Sequence, residues 1–260
     1  MSANRLGGFC ALAMMAKAPR SGDAKTRLAP PLSAAEAAEL SGCFIRDTAD
    51  NFIAAAQSSP IHGHVAYSPP ESEAAFRAML PEPIRLLPPR RAGLGYSLAD
   101  AAEDLLAAGY GSVCLVNSDS PTLPTSVLVE AAQTLRAAGD RVVLGPAEDG
   151  GYYCIGLKNR HPRLFEDIAW SSERVFAQTL DRAREIGLDT AVLPTWYDVD
   201  DLASLRRLAG ELLSGTTQEN RRTRFAAPHT TAFLLRLLGD GGDRRIGVGW
   251  PAAETGSTRL

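Results

Sequence analysis

Short apolar runs alternate with long stretches of helical periodicity along most of this chain. That alternation restricts the fold more than any single motif does. The runs are "FCALAMMA" (9–16), "HGHVAYS" (62–68), "SVCLVNS" (112–118), two within "DRVVLGPAEDGGYYCIGL" (140–157), and a late one in "TAVLPTWYDV" (190–199). Apolar residues at helical spacing predict helices over 33–56, 97–109, 125–139 and 172–187. Ser33 and Glu36 are placed to form a capping box at the start of the first. Gly109 and Gly139 stop the second and third. Continuously apolar strands separated by helices predict a mostly parallel sheet with helices on both faces. Right-handed crossovers then give a doubly wound, Rossmann-like α/β fold, with ligands beyond the carboxyl ends of the strands.

The chain has 260 residues, long enough for one large core. Residues 1–215 read as one domain. Residues 216–260 read as a tail with arginine clusters, the stretch "GDGGDRR", one helix in "HTTAFLLRLLG" and a flexible end. A net charge of −3 gives no sign of a nucleic-acid or membrane-surface partner. No apolar run is long enough to span a bilayer. The four cysteines form no C-x-x-C pair, and three lie in apolar stretches, as expected of a reduced, cytoplasmic protein. Ala16-Lys17-Ala18 fits a signal-peptide cleavage pattern, but cleavage there would remove the first core strand.

Four segments fall where the carboxyl-end rule places a ligand, and each has two readings. The loop "AKAPRSGDAKTRL" holds Lys17, Gly22, Lys25, Thr26 and Arg27. It is either a solvated loop or a cradle for phosphates, with lysine as a compact charge and arginine as a bidentate donor. It matches neither the Walker nor the G-x-G-x-x-G pattern. In "NSDSPTLP", Ser118 and Asp119 follow an apolar strand. Asp119 either shapes the turn before Pro121 or holds Mg²⁺ or Mn²⁺ against a diphosphate. Asp149-Gly150-Gly151 is either a hairpin turn or a site where a ligand approaches the backbone and Asp149 meets a hydroxyl. In "WYDVDDL", Asp198 and Asp200 share a side of an extended segment, and Asp201 suits a helix cap. His62 and His64 share a strand face, with no third metal ligand nearby in sequence.

Taken in order, "AKAPRSGDAKTRL", "NSDSPTLP", "GPAEDGGYYCIGL", "WSSERVFAQTL" and "YDVDDLASL" resemble a bacterial family of glycosyltransferases with the GT-A, nucleotide-diphospho-sugar transferase fold. Some members of that family are associated with arsenosugar biosynthesis. It is distantly similar to 2-phospho-lactate guanylyltransferase and molybdenum-cofactor guanylyltransferase. The resemblance spans about residues 9–210. It implies a metal-dependent transferase using a nucleotide-sugar donor and a small-molecule acceptor. Its alternative is a nucleotidyltransferase moving a nucleotide from a triphosphate to a phosphorylated acceptor, and a non-catalytic nucleotide-binding protein is the third possibility. It further implies phosphate contacts from Lys17, Lys25 and Arg27, with Gly22, Thr26 and Ser118 in the same nucleotide site. Asp119 and Asp200 become metal ligands, Asp119 and Asp149 catalytic, and Gly150 and Gly151 acceptor-side. Two departures stand out. Tyr96 and Ser97 lie where relatives often carry charge, and Asn117 lies where relatives often have glycine.

Overall fold

A computed structural model of the protein describes residues 6–213, 223–239 and 243–247. Its strands are β1 (Cys10–Lys17), β2 (Ile61–Ser68), β3 (Arg85–Leu87), β4 (Ser112–Asn117), β5 (Arg141–Pro146), β6 (Tyr152–Leu157) and β7 (Asp189–Val192). They form one sheet in the order β3-β2-β1-β4-β6-β5-β7. Only β6 runs against its neighbours. The helices among the described residues are α1 (Ala34–Ala56), α2 (Glu73–Met79), α3 (Leu94–Ala107), α4 (Thr125–Arg136), α5 (Val175–Glu185), α6 (Leu202–Leu213), α7 (Pro228–Leu237) and α8 (Asp243–Ile246). This is the mostly parallel, helix-covered sheet that the apolar alternation predicts.

The central strands are apolar throughout because both of their faces are covered. Leu12, Met14, Cys114 and Val116 pack on one side with Ile45 and Phe52 of α1 and Leu128 and Leu135 of α4. Ala11, Ala13, Val113 and Leu115 pack on the other with Leu98 and Leu105 of α3 and Ala183 of α5. All four cysteines are buried and free. α1 begins on the expected capping box: the Glu36 backbone N–H donates to Ser33 Oγ at 3.2 Å, and the Ser33 N–H donates to Glu36 Oε2 at 2.7 Å.

A further helical layer lies outside α1. Its outer residues Leu40 and Phe44 pack with Leu205 and Leu208 of α6 and Phe233, Leu234 and Leu237 of α7. α7 is the helix read in the tail. Its first turn is anchored to α1, because Asp47 accepts the backbone N–H groups of His229 and Thr230 at 2.9 and 2.8 Å. The flexible end expected of the tail falls largely on residues 248–260, outside the described residues.

The late strand is shorter than the run 190–199 suggested. It stops at Val192, and only a single bridge from Trp196 to Ala147 continues the pairing. Pro194 interrupts this segment and offers no N–H to a ladder. His62 and His64 do share a strand, but both ring nitrogens meet the Tyr110 hydroxyl, at 3.1 and 3.0 Å, rather than a third ligand. Burial, then Arg85 and His62, push the His64 imidazole down to about 4. A histidine held neutral in the fold but free to charge when unfolded supplies stability above its unfolded pKa, and that stability is lost as pH falls through the folded one. Between pH 6.5 and pH 4 the protein should therefore lose about 2 kcal/mol that a His64→Gln variant does not. Denaturant melts of both proteins at the two pH values check this. Parallel losses would overturn it.

Candidate functional site

The chain leaves β1 outward to β2 and β3, then returns across β1 to form β4 on its other side. The strand order therefore reverses between β1 and β4, and a crevice opens at their carboxyl ends. A cleft of about 700 Å³ lies there. The reversed β6 matters to it: a hairpin from β5 carries residues 147–151 to the same end of the sheet as the exits of β1 and β4.

The first wall is the loop after β1. Its path is fixed by the Ala18 N–H donating to Ser68 O at 2.7 Å and the Asp23 and Ala24 N–H groups donating to Arg20 O at 3.1 Å. Gly22 takes φ +86°, a left-handed conformation that favours glycine. Lys25 also takes a left-handed backbone, φ 49° and ψ 44°, at a cost of roughly 1–2 kcal/mol for an L side chain. Leu28 then buries itself beneath the loop, against α1 and α6. Lys17, Lys25, Thr26 and Arg27 all line the cleft, whereas Gly22 shapes the turn behind it.

The second wall is the segment after β4, with Asn117, Ser118 and Asp119 in the lining. It is stitched to the segment before α6: Ser120 Oγ donates to Tyr197 O at 2.9 Å, and the Val199 N–H donates to Asp119 O at 2.9 Å. Tyr197 is itself held by Glu211 at 2.6 Å and by the Arg207 guanidinium stacked 3.8 Å from its ring. This framework delivers Asp198 and Asp200 into the cleft, while Asp201 turns away and caps α6 by accepting the Ser204 N–H at 2.8 Å.

The two walls meet at Lys25. Its Nζ lies 2.9 Å from Asp119 Oδ1 and 2.6 Å from Asp200 Oδ1, with the side chain 7% exposed. Burial works against the charged ammonium, but Asp119 and Asp200 together outweigh it and hold the pKa above the ordinary lysine value. The Asp119 carboxylate spends its contacts on Lys25 and on the Ser118 hydroxyl rather than on the Pro121 turn. Asp198, which the sequence pairs with Asp200 on one side of an extended segment, lines the cleft with it. Burial first, then Asp200, Asp149 and Asp119, push its carboxyl up to about 6. The signal that marks it is burial among like charges.

The third wall is the β5–β6 hairpin with residues 170–175. Asp149 and Gly151 line the cleft. Asp149 Oδ1 also accepts the Gly151 N–H at 2.8 Å, so this residue shapes the turn as well as facing the cleft. Gly150 lies behind the lining, at φ +87°, packed against the Glu173 backbone. Trp170 lines the cleft as well. Its indole lies so close to Gly95 that a Cβ there would come 2.3 Å from Nε1. Leu94 and Tyr96 stand exposed on either side of that glycine.

A family model described as "Uncharacterized protein conserved in bacteria (DUF2064)" matches residues 51–172. That span includes Asp119 and Asp149 but neither the loop after β1 nor Asp200. No curated protein matches the chain. Among solved structures, one from Desulfovibrio desulfuricans G20 is 26% identical, with a TM-score of 0.75, covering 88% of this chain and 95% of that one. Its own assignment, as a nucleotide-diphospho-sugar transferase, is provisional. A CMP:2-keto-3-deoxy-manno-octonic acid synthetase complexed with CTP is 12% identical at a TM-score of 0.48, covering 76% of this chain and 96% of that one. A 4-diphosphocytidyl-2C-methyl-D-erythritol synthase from Anaerococcus prevotii is 12% identical at 0.46, covering 88% and 100%.

The donor set bears on which metal fits. Asp119 and Asp200 offer carboxylate oxygens only, which suits a hard ion such as Mg²⁺ or Mn²⁺, and the Lys25 ammonium between them shows that they share one cation. No three of the cleft carboxylates converge as closely as Asp47, Asp50 and His229 do on the far side of α1. That second group also anchors α7. Among the described residues, no helix is long and apolar enough to cross a membrane.

Proposed function

We propose that the protein is an enzyme that transfers a sugar from a nucleotide-sugar donor to a neutral, hydroxyl-bearing small molecule, with Mg²⁺ or Mn²⁺ as cofactor. One observation carries this reading, namely the division of charge across the cleft. Lys17, Lys25 and Arg27, the cations in its lining among the described residues, all come from the end of β1 and the loop after it, where Asp23 is the one carboxylate. The third wall presents Asp149 and Glu173, and Asp198 adds a further carboxylate from the segment before α6. A diphosphate is favoured against the first wall and repelled by the third. A phosphorylated acceptor, as in the nucleotidyltransferase alternative, would meet carboxylates there and no lysine or arginine among the described lining residues of that wall. The likeness to the Desulfovibrio protein supports the same reading.

In this reading Lys17, Lys25 and Arg27 bind the donor phosphates, and the Thr26 and Ser118 hydroxyls and the turn at Gly22 complete that side. Asp119 and Asp200 would hold the metal, which when bound would supply positive charge to stabilise the departing diphosphate. Asp149 orients the acceptor hydroxyl beside Gly150 and Gly151. Asp198, which lines the cleft with Asp149, takes the hydroxyl proton. The acceptor oxygen bonds to the sugar carbon as the bond from that carbon to the diphosphate breaks. The nucleoside diphosphate leaves with the electron pair.

The test is to incubate the protein with Mn²⁺ and panels of nucleotide sugars and nucleoside triphosphates. Nucleoside diphosphate and pyrophosphate are then assayed separately, with neutral and phosphorylated acceptors. Diphosphate release stimulated by neutral acceptors is the expected result. Pyrophosphate release stimulated by either class of acceptor would replace this reading with nucleotidyl transfer. Binding without turnover across the panels would favour a nucleotide-binding protein.

A further inference from the structure

We propose that Lys25 is a resident cation of the metal position, so that a divalent ion enters between Asp119 and Asp200 only when nucleotide phosphates draw the ammonium away. The inference rests on the reading of Asp119 and Asp200 as the metal-binding pair, and it adds an order and a coupling to that reading.

The geometry is specific. The ammonium contacts one oxygen of each carboxylate, at 2.9 and 2.6 Å, across sequence separations that only the fold can bring together. Mg²⁺ bound by the same two oxygens would sit about 2.0–2.1 Å from each. Ion and ammonium cannot share that space, and the carboxylates must close in around the smaller cation. The ammonium is not there by chance of a flexible side chain. The left-handed backbone at Lys25 aims it inward, and Phe44 lies beneath it at 5.7 Å from ring centroid to Nζ.

The cost of moving it depends on where it can go. A free divalent ion would expel the ammonium into a wall that already carries Lys17 and Arg27 against the single carboxylate of Asp23. A metal–diphosphate complex brings phosphate oxygens to that same wall, and these accept the ammonium as the metal takes the carboxylates. Two carboxylates are also an incomplete shell for Mg²⁺, which is commonly bound by one or two carboxylates plus substrate phosphates. Metal and phosphate therefore bind with positive coupling, and by linkage each strengthens the other by the same factor. Lys25 carries that coupling.

The experiment titrates Mn²⁺ alone into wild type, Lys25→Met, Lys25→Gly, Asp119→Asn and the double variant Lys25→Met/Asp119→Asn. Each titration is repeated with inorganic pyrophosphate, a probe that makes no demand on the base. Met keeps the length of the stem, and Gly suits the left-handed backbone, so at least one folded variant without the ammonium is available. Without phosphate, both Lys25 variants should bind Mn²⁺ at least tenfold more tightly than wild type, and adding Asp119→Asn should abolish the gain. Pyrophosphate should raise Mn²⁺ affinity strongly in wild type and far less in the Lys25 variants. If folded Lys25 variants bind Mn²⁺ no more tightly than wild type, the inference is overturned. Should Asp119→Asn nevertheless remove the pyrophosphate-dependent Mn²⁺ binding of wild type, the metal-pair reading survives that failure. If the gain in the Lys25 variants persists in the double variant, the ion sits elsewhere and both readings fall.

Discussion

Asp119→Asn should lose nearly all metal-dependent turnover, on the order of a thousandfold, while the protein still folds. The backbone at Asp119 is set by β4. Its buried residues Val113 to Val116 hold the backbone just before Asp119, and the Val199 N–H ties the Asp119 carbonyl to the far wall. Neither restraint uses the carboxylate. Asn keeps the size and the hydrogen-bonding oxygen but loses the charge. It should therefore leave the cleft in shape while removing one of two metal ligands and one of two partners of Lys25. A metal worth several kcal/mol of charge stabilisation corresponds to about three powers of ten in rate. The check is nucleotide affinity with Mn²⁺ and with chelator, for both proteins, alongside turnover and a thermal melt. A variant that keeps the full Mn²⁺ enhancement would remove Asp119 from the mechanism. If the variant fails to melt cooperatively, the carboxylate is structural instead.

Gly150→Ala should cost about 3 kcal/mol or more of stability, the larger part of it steric. At φ +87° an alanine pays roughly 1–2 kcal/mol for its left-handed backbone. Its Cβ would also come 2.2 Å from the Glu173 carbonyl oxygen and 2.7 Å from the Glu173 Cα. Those are backbone atoms, and the segment is tied down because the Phe176 N–H donates to Gly150 O at 3.0 Å. Relief would require residues 171–175 to move away from the hairpin and open the third wall. Gly151→Ala is the contrast. Its Cβ would meet only the Asp149 side chain, at 3.1 Å, so its cost should stay near 1 kcal/mol. Denaturant midpoints of the two variants decide the matter. Equal small losses would show that the hairpin and the 171–175 segment are not held against each other.

Much of this was legible in the sequence where local chemistry decides. The capping box of Ser33 and Glu36, the apolar run of β1 and the helix in the tail each follow from patterns within a few residues. β3, with three residues, and α2, with seven, are too short to show a period. The cleft walls were legible as positions, because the carboxyl ends of β1 and β4 dictate them. What they do to one another was not. Lys25 meets Asp119 and Asp200 only through the tertiary fold, and Asp198 looks like its neighbours until burial sets it apart. The glycines at 95 and 150 announce a turn or a close approach, but not that Trp170 and Glu173 are what they approach.

The burial of α1 on two sides has a consequence for how the chain is made. Synthesis runs from the amino end, and domains compact as their residues become available. The inner face of α1 can be covered once β1, β2 and α4 have emerged. Leu40 and Phe44, on its outer face, have Leu28 beside them early but meet Leu205, Leu208, Phe233 and Leu234 only when the late helices are made. A nascent chain that has released the whole cleft up to Asp200 therefore still shows part of a greasy helix face to water or to a chaperone. The last helices to leave the ribosome close a surface that opened with the first one.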